Sequence, residues 1–260
     1  QYGTAWGHQL LPAPLWRRYE AAECATNFPP SDACTNITDE MDNILSGFDA
    51  YALDFATCTS PQTAVGRHER WTFRQAIMRA KAALQGSSRA ALASVPNGDY
   101  QPCIANFMTE YLNRADVQAA IHVKVGATWS MCSNKVSDAY NIDDVNSPMM
   151  PVWNELIIKG DLKIMIYSGD DDSVCATLGS QQFVWDLGYA PKTSYVQGAE
   201  SGGTWLPWKV EGQTAGFRTD FEVPSGTFTF VTVHGAGHMV PATQPARSLA
   251  LLQSFLGAKG

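Results

Sequence analysis

Apolar runs of two kinds set the frame of this chain. Residues 228–233 (Phe-Thr-Phe-Val-Thr-Val) are β-branched and aromatic, which predicts a buried strand, and residues 162–167 (Leu-Lys-Ile-Met-Ile-Tyr) predict a second short one. Other runs carry the helical period. Residues 6–25 place Leu10, Leu11, Leu15, Trp16 and Tyr19 on one face, with Pro12 and Pro14 breaking the helix early. The spacing predicts further helices over 39–48, over 67–85 (Trp71, Phe73, Ile77, Leu84) and over 148–159, where Gly160 stops it. A helix over 178–187 turns Phe183, Trp185 and Leu187 inward, and a last one opens at Pro245, with proline in its first turn. Residues 86–98, rich in Ser, Ala and Gly, have loop character, and no internal repeat is present. Strands followed by helices place the chain in the α/β class.

The ends of the two strands carry the chemistry. Gly235 to Gly237 predicts a turn between the last strand and the last helix, and His238 stands on it. A loop histidine by itself most often hydrogen-bonds backbone. Gly169 ends the other strand, and Asp170, Asp171 and Asp172 follow at its C-terminal end, the edge where α/β sheets build their sites. An acid there can orient an imidazole and stabilise its charged form, with the flanking carboxylates as supporting charges. His122 lies on an apolar helix face and reads as a structural residue. The Arg and Lys residues of 67–85 are interrupted by alanines and Glu69, and read as a solvated face.

Composition narrows the partners and the compartment. A net charge of -7 without any Lys/Arg stripe argues against nucleic acid, and no apolar run approaches membrane-spanning length. The start at Gln1, with neither basic nor apolar leader character, reads as a processed chain whose signal peptide has gone. Its six cysteines, Cys24, Cys34, Cys58, Cys103, Cys132 and Cys175, are too widely spaced for a Cys-x-x-Cys metal site, so no metal or cofactor is expected and disulfides are the alternative. Cys24 and Cys34 bracket a Pro29-Pro30 turn that a disulfide could close. Asn36-Ile-Thr38 is a glycosylation sequon, placed in a loop between two polar segments. Secretion through an oxidising pathway fits both features.

Several motifs in order carry a resemblance. Gly169-Asp-x-Asp172 and Gly237-His238-Met-Val-Pro241 stand with Tyr111-Leu-Asn113, Val117-Gln118, Ile121-His122, Trp129-x-x-Cys132-Ser133 and Trp205-x-Pro-Trp208. Together they resemble the serine carboxypeptidase family, α/β-hydrolases that remove C-terminal residues from peptides. The resemblance implies the C-terminal portion of the central sheet plus a mostly helical insertion or cap: core at 1–23, insertion at 24–99, core again at 100–260. It implies Asp172 as triad acid, His238 as base, and Cys175 and Met239 as residues touching substrate. Cys24 would pair with Cys34, and Cys58 with Cys103. Cys132 would pair with a cysteine of the family's N-terminal half.

That half also carries the family's nucleophile, in a Gly-Glu-Ser-Tyr-Ala-Gly elbow which this sequence does not contain. Ser201, in Gly198-Ala-Glu-Ser-Gly-Gly203, is a decoy: an α/β-hydrolase runs Ser, Asp, His, and Ser201 falls between Asp172 and His238. The resemblance therefore implies that the N-terminal part is a separate chain of the same precursor, linked through Cys132, or is absent, with this chain inactive by itself; it also implies a peptide substrate and compatibility with a homodimer of the two-chain unit. Vacuolar, lysosomal or extracellular residence would follow. Acyltransferases and hydroxynitrile lyases share this fold and triad, and an inactive binding relative is a third class. A carbohydrate-binding module is disfavoured, because Trp205 and Trp208 belong to a family motif.

Overall fold

Four strands make one sheet in the order β1-β4-β3-β2: β1 (Lys163–Gly169), β2 (Leu206–Val210), β3 (Gln213–Phe221) and β4 (Thr227–Val233). The structure is a computed structural model that describes residues 1–26, 30–58, 100–124, 126–141, 147–194 and 202–257. The helix expected over 67–85, the loop over 86–98 and Ser201 lie outside the described residues.

β4 is the strand the sequence marked most clearly, and every residue from Phe228 to Val233 is buried. Alternate side chains leave on opposite faces. Phe228 and Phe230 join a ring cluster with Trp185, Trp205 and Phe221 on one face, while Val231 and Val233 pack with Ala236, Val240 and Leu251 on the other. β1 runs parallel to β4, with Gly169 paired to Val233. Parallel pairing delivers the C-terminal ends of both strands to one edge of the sheet, so the turns after them emerge side by side.

β2 and β3 form a hairpin where the sequence reading found only a tryptophan motif. The connection, Glu211-Gly212, has positive φ at both residues (50° and 78°), the pattern of a tight hairpin turn. β3 then pairs antiparallel with β4, and Trp208 Nε1 donates to the Thr232 carbonyl at 2.9 Å.

Among the described helices, α1 (Tyr2–Gly7) and α2 (Ala13–Ala21) replace the single broken helix expected over 6–25, with proline in the first turn of α2. They share a core with α3 (Asp32–Leu45): Ala5, Leu11, Leu15, Ile37 and Met41 are buried together, with Trp6 stacked on Trp16 at 5.4 Å. α3 starts earlier than the expected 39, because Ser31 accepts the Cys34 N–H at 3.2 Å as an N-cap and the Cys24–Cys34 disulfide holds that turn. Asn36 is consequently an exposed residue of a helix, and the loop expected around the sequon is absent there.

The described residues fall into two compact units. One holds those up to Ala56 and from Val152 onward; the other holds Thr57, Cys58 and those from 100 to Pro151. The second unit carries α4 (Ile104–Leu112), α5 (Ala115–Ala120), the single turn α6 (Asn134–Ser137) and the Cys58–Cys103 disulfide. Its motif residues interlock. Asn113 and Trp129 exchange backbone–amide hydrogen bonds at 2.9 Å in both directions, and buried Gln118 donates to Leu112 and Ala127 and accepts from Gly126. His122 lies past the end of α5, exposed and with φ 58°, so it does not sit on the apolar helix face expected of it.

α7 (Met150–Lys159), which belongs to the first unit from Val152 onward, precedes β1, and α8 (Thr177–Asp186) follows the acidic turn. Val184 is the fully buried residue of α8, while Trp185, at 37 % exposure, presents its ring edge to Phe221 and Phe230. The chain ends in α9 (Val240–Thr243) and α10 (Pro245–Leu256), with Gly257 left-handed beyond the last helix.

Candidate active site

The turn after β1 carries three carboxylates in succession, and each faces a different neighbour. Asp170 accepts the Gly235 N–H at 2.6 Å and lies 2.7 Å from His234 Nδ1. Asp171 accepts the Asp54 N–H on both oxygens, at 3.1 Å. Asp172 Oδ2 lies 2.9 Å from His238 Nδ1, while Asp172 Oδ1 accepts the N–H groups of Val174 (2.8 Å) and Cys175 (3.1 Å). A carboxylate accepts, so Nδ1 of His238 carries the proton and Nε2 is left to take one.

Burial divides the pair into a fixed member and a reachable one. The Asp172 side chain is 4 % exposed and that of His238 is 40 % exposed. An acid sealed in protein and an imidazole open on its far side have the geometry that an orienting group and a general base require.

Close backbone packing makes the geometry. A Cβ on Gly169 would overlap the Ala236 carbonyl oxygen, and one on Gly237 would overlap that of Tyr51, so glycine is required where the two turns and the 50–54 segment meet. Asp171 N–H donates to Ala236 O at 2.9 Å, and His238 N–H donates to Tyr51 O at 2.7 Å. The Tyr51 ring meets the His238 imidazole at 5.2 Å in an edge-on contact. No local pattern marks Tyr51 for this place, because its contacts come from chain more than a hundred residues away.

Cys175 is an exposed free thiol and lines a cavity of about 570 Å³ with Tyr2, Trp16, Tyr19 and Leu178. Met239 is 48 % exposed beside His238. Cys132 is a free, exposed thiol of the other unit. Two groups among the described residues bring donor atoms within 4.8 Å of one another, Asp172/Cys175/His238 and His8/Asp54/Asp171. In both, the buried carboxylate is already hydrogen-bonded through each oxygen.

Burial pushes the Asp171 carboxyl up to about 6, against the opposing pull of the Asp54 N–H and with the Asp54 carboxylate adding to the rise. Its side chain also lies 3.7 Å from His8 Nδ1, which in turn lies 3.3 Å from Asp54 Oδ1.

Comparison with known proteins gives the family and the fold. The serine carboxypeptidase family model matches residues 1–258, and the chain belongs to that family. Serine carboxypeptidase-like 22 of Arabidopsis thaliana is 41 % identical over 160 residues, covering 60 % of this chain and 31 % of the relative. Serine carboxypeptidase-like 26 of the same plant is 29 % identical over 98 % of this chain and 49 % of its own length. The chain thus spans half or less of the length of these relatives. A crystal structure of Kex1(Δ)p, a prohormone-processing carboxypeptidase from Saccharomyces cerevisiae, matches with a TM-score of 0.55 at 14 % identity, over 97 % of this chain and 50 % of that one. The fold is that of the α/β-hydrolases.

Proposed function

We propose that this chain is the acid–base half of a serine-type carboxypeptidase, with the nucleophilic serine supplied by a separate N-terminal chain of the same precursor. The observation that carries the reading is the hydrogen bond between buried Asp172 and half-open His238 at 2.9 Å. The serine hydroxyl attacks the peptide carbonyl while its proton passes to His238 Nε2, and Asp172 stabilises the imidazolium so formed. The same proton then goes to the leaving amine as the C–N bond breaks, releasing the C-terminal residue, and water, giving its proton to His238, hydrolyses the acyl-serine ester and restores the hydroxyl. Cys175, whose sulfur lies within 4.8 Å of the pair, and Met239, next to His238 in the chain, contact the substrate. Cys132, an exposed thiol, forms the link between the chains. Asn36, exposed on its helix, carries the glycan of a secretory-pathway protein in a vacuolar, lysosomal or extracellular setting. Two disulfides accord with that pathway, and no helix among the described residues is long and apolar enough to cross a membrane.

Intact mass of the natively purified protein, with and without reductant, tests the two-chain arrangement. Reduction is expected to release a second polypeptide beside this 28.3 kDa chain. A serine-directed sulfonyl fluoride should then label that second polypeptide and stop hydrolysis of a blocked dipeptide. Label on Ser201, or a single species in both conditions with full activity, overturns the proposal.

A further inference from the structure

Asp171 is buried with no exposed surface, yet the proton transfers described above give it no part. Its surroundings assign it one. The 50–54 segment lies against both halves of the catalytic pair. It reaches the acid turn through Ala50 O, which accepts from Ser173 N–H (3.0 Å) and Ser173 Oγ (2.7 Å), and through Leu53 N–H, which donates to Asp171 O at 3.2 Å. It reaches the base turn through Tyr51 O, which accepts the His238 N–H at 2.7 Å, and through the Tyr51 ring against the imidazole. The segment has no strand or helix of its own to hold it.

We propose that Asp171 is a positioning residue for the Asp172–His238 pair, acting by clamping the 50–54 segment through the Asp54 N–H. Its carboxylate is the one side chain of the acid turn that grips this segment by both oxygens, and the peptide carbonyl of the same residue takes the Leu53 N–H. Without the clamp the segment keeps only the Ala50 and Leu53 bonds to the acid turn and is held less tightly, so the Tyr51 carbonyl shifts on the His238 N–H and the imidazole is less well fixed by its backbone tether and its ring neighbour. Its Nδ1–H then no longer points at Asp172. A buried acceptor left without its donor, or a donor without its acceptor, would force that rearrangement. Asn fulfils the same role through its amide oxygen, so shape and acceptor are what the site requires.

The proposal rests on the carboxypeptidase reading only for its kinetic consequence, and two readouts keep them apart. In the holoenzyme labelled with ¹⁵N-histidine, the low-field proton resonance of His238 Nδ1–H reports the bond to Asp172 without any substrate. Asp171→Ala is expected to abolish that resonance and to lower kcat on a blocked dipeptide on the order of 10²-fold with KM little changed, the loss typical of a small displacement of a catalytic group. Asp171→Asn is expected to restore both. An Asp171→Ala protein that is folded and keeps both the resonance and kcat overturns the proposal, and so does an Asp171→Asn protein as impaired as the alanine variant. If alanine prevents folding, Asp171→Ser, which withdraws the acceptor by one atom and leaves a smaller void, is read in the same way. Absence of dipeptide hydrolysis in the unaltered holoenzyme would remove the carboxypeptidase reading and leave the resonance to decide.

Discussion

His234 and His238 stand four residues apart on one turn, and each meets an aspartate of the neighbouring turn, Asp170 and Asp172, through Nδ1 at 2.7 and 2.9 Å. The two pairs run side by side but differ in setting. The Asp170 and His234 side chains are 39 % and 67 % exposed, whereas Asp172 is sealed. Only the inner pair holds its carboxylate fixed away from solvent, and a contact open to solvent on both sides is weak.

The inner histidine should therefore be indispensable and the outer one not. In the assembled enzyme, His238→Ala is expected to lower kcat on the order of 10⁴-fold or more, with substrate binding largely intact. His234→Ala should stay within about tenfold of the parent, since Asp170 keeps the Gly235 N–H. Steady-state kinetics on a blocked dipeptide separate the two; equal losses would contradict the assignment.

Asp172→Asn preserves shape and leaves the Val174 and Cys175 N–H groups an oxygen to donate to. It removes the charge that selects the Nδ1–H tautomer, so kcat is expected to fall by roughly 10⁴-fold at nearly constant thermal stability. Kinetics paired with a melting curve check this, and a large drop in Tm would mean that Asp172 chiefly supports the fold.

Asp171 predicts a pH dependence of stability. Its carboxyl ordinarily titrates at 3.8 and in the fold at about 6, so between those values the folded state holds a proton that the unfolded chain has released. Its contribution to stability is thus fully present below about pH 4 and is lost as pH rises through 6. Urea midpoints from pH 4 to 7 should show this fall in the parent and a flatter profile in Asp171→Asn. Identical profiles would exclude Asp171 as its source.

Gly237→Ala places a methyl group against the Tyr51 carbonyl oxygen, and backbone there cannot yield without moving His238. The expected loss is about 1–3 kcal/mol of stability, with activity falling further than stability does. Gly179→Ala, within α8 where a Cβ meets nothing within 4 Å, is the control that should leave activity unchanged and raise stability by about 0.5–1 kcal/mol.

Much of the chemistry was legible along the chain. Strands β1 and β4, the helices near 148–159 and 178–187 and the glycines that stop or turn them follow from short-range periodicity, which local sequence encodes. The acid and base were marked by residue type at strand ends and by the motifs around them. The hairpin of β2 and β3 escaped notice because Glu211-Gly212 is a weaker turn signal than Asn-Gly and Trp205-x-Pro-Trp208 reads as a motif before it reads as a strand.

What the sequence by itself determined was which residues end the two strands and what chemistry they carry. That Asp172 should meet His238 across 66 positions was decided by the parallel register of β1 on β4, a long-range pairing that no local pattern specifies. The tertiary structure also gave Asp170 and Asp171, read along the chain only as supporting charges, separate partners of their own, because burial and partner, not residue type, set what a carboxylate does. It brought Tyr51 and Asp54 to the site from the far end of the chain for the same reason: backbone hydrogen bonds between distant segments form only once the sheet has fixed the turns that offer them.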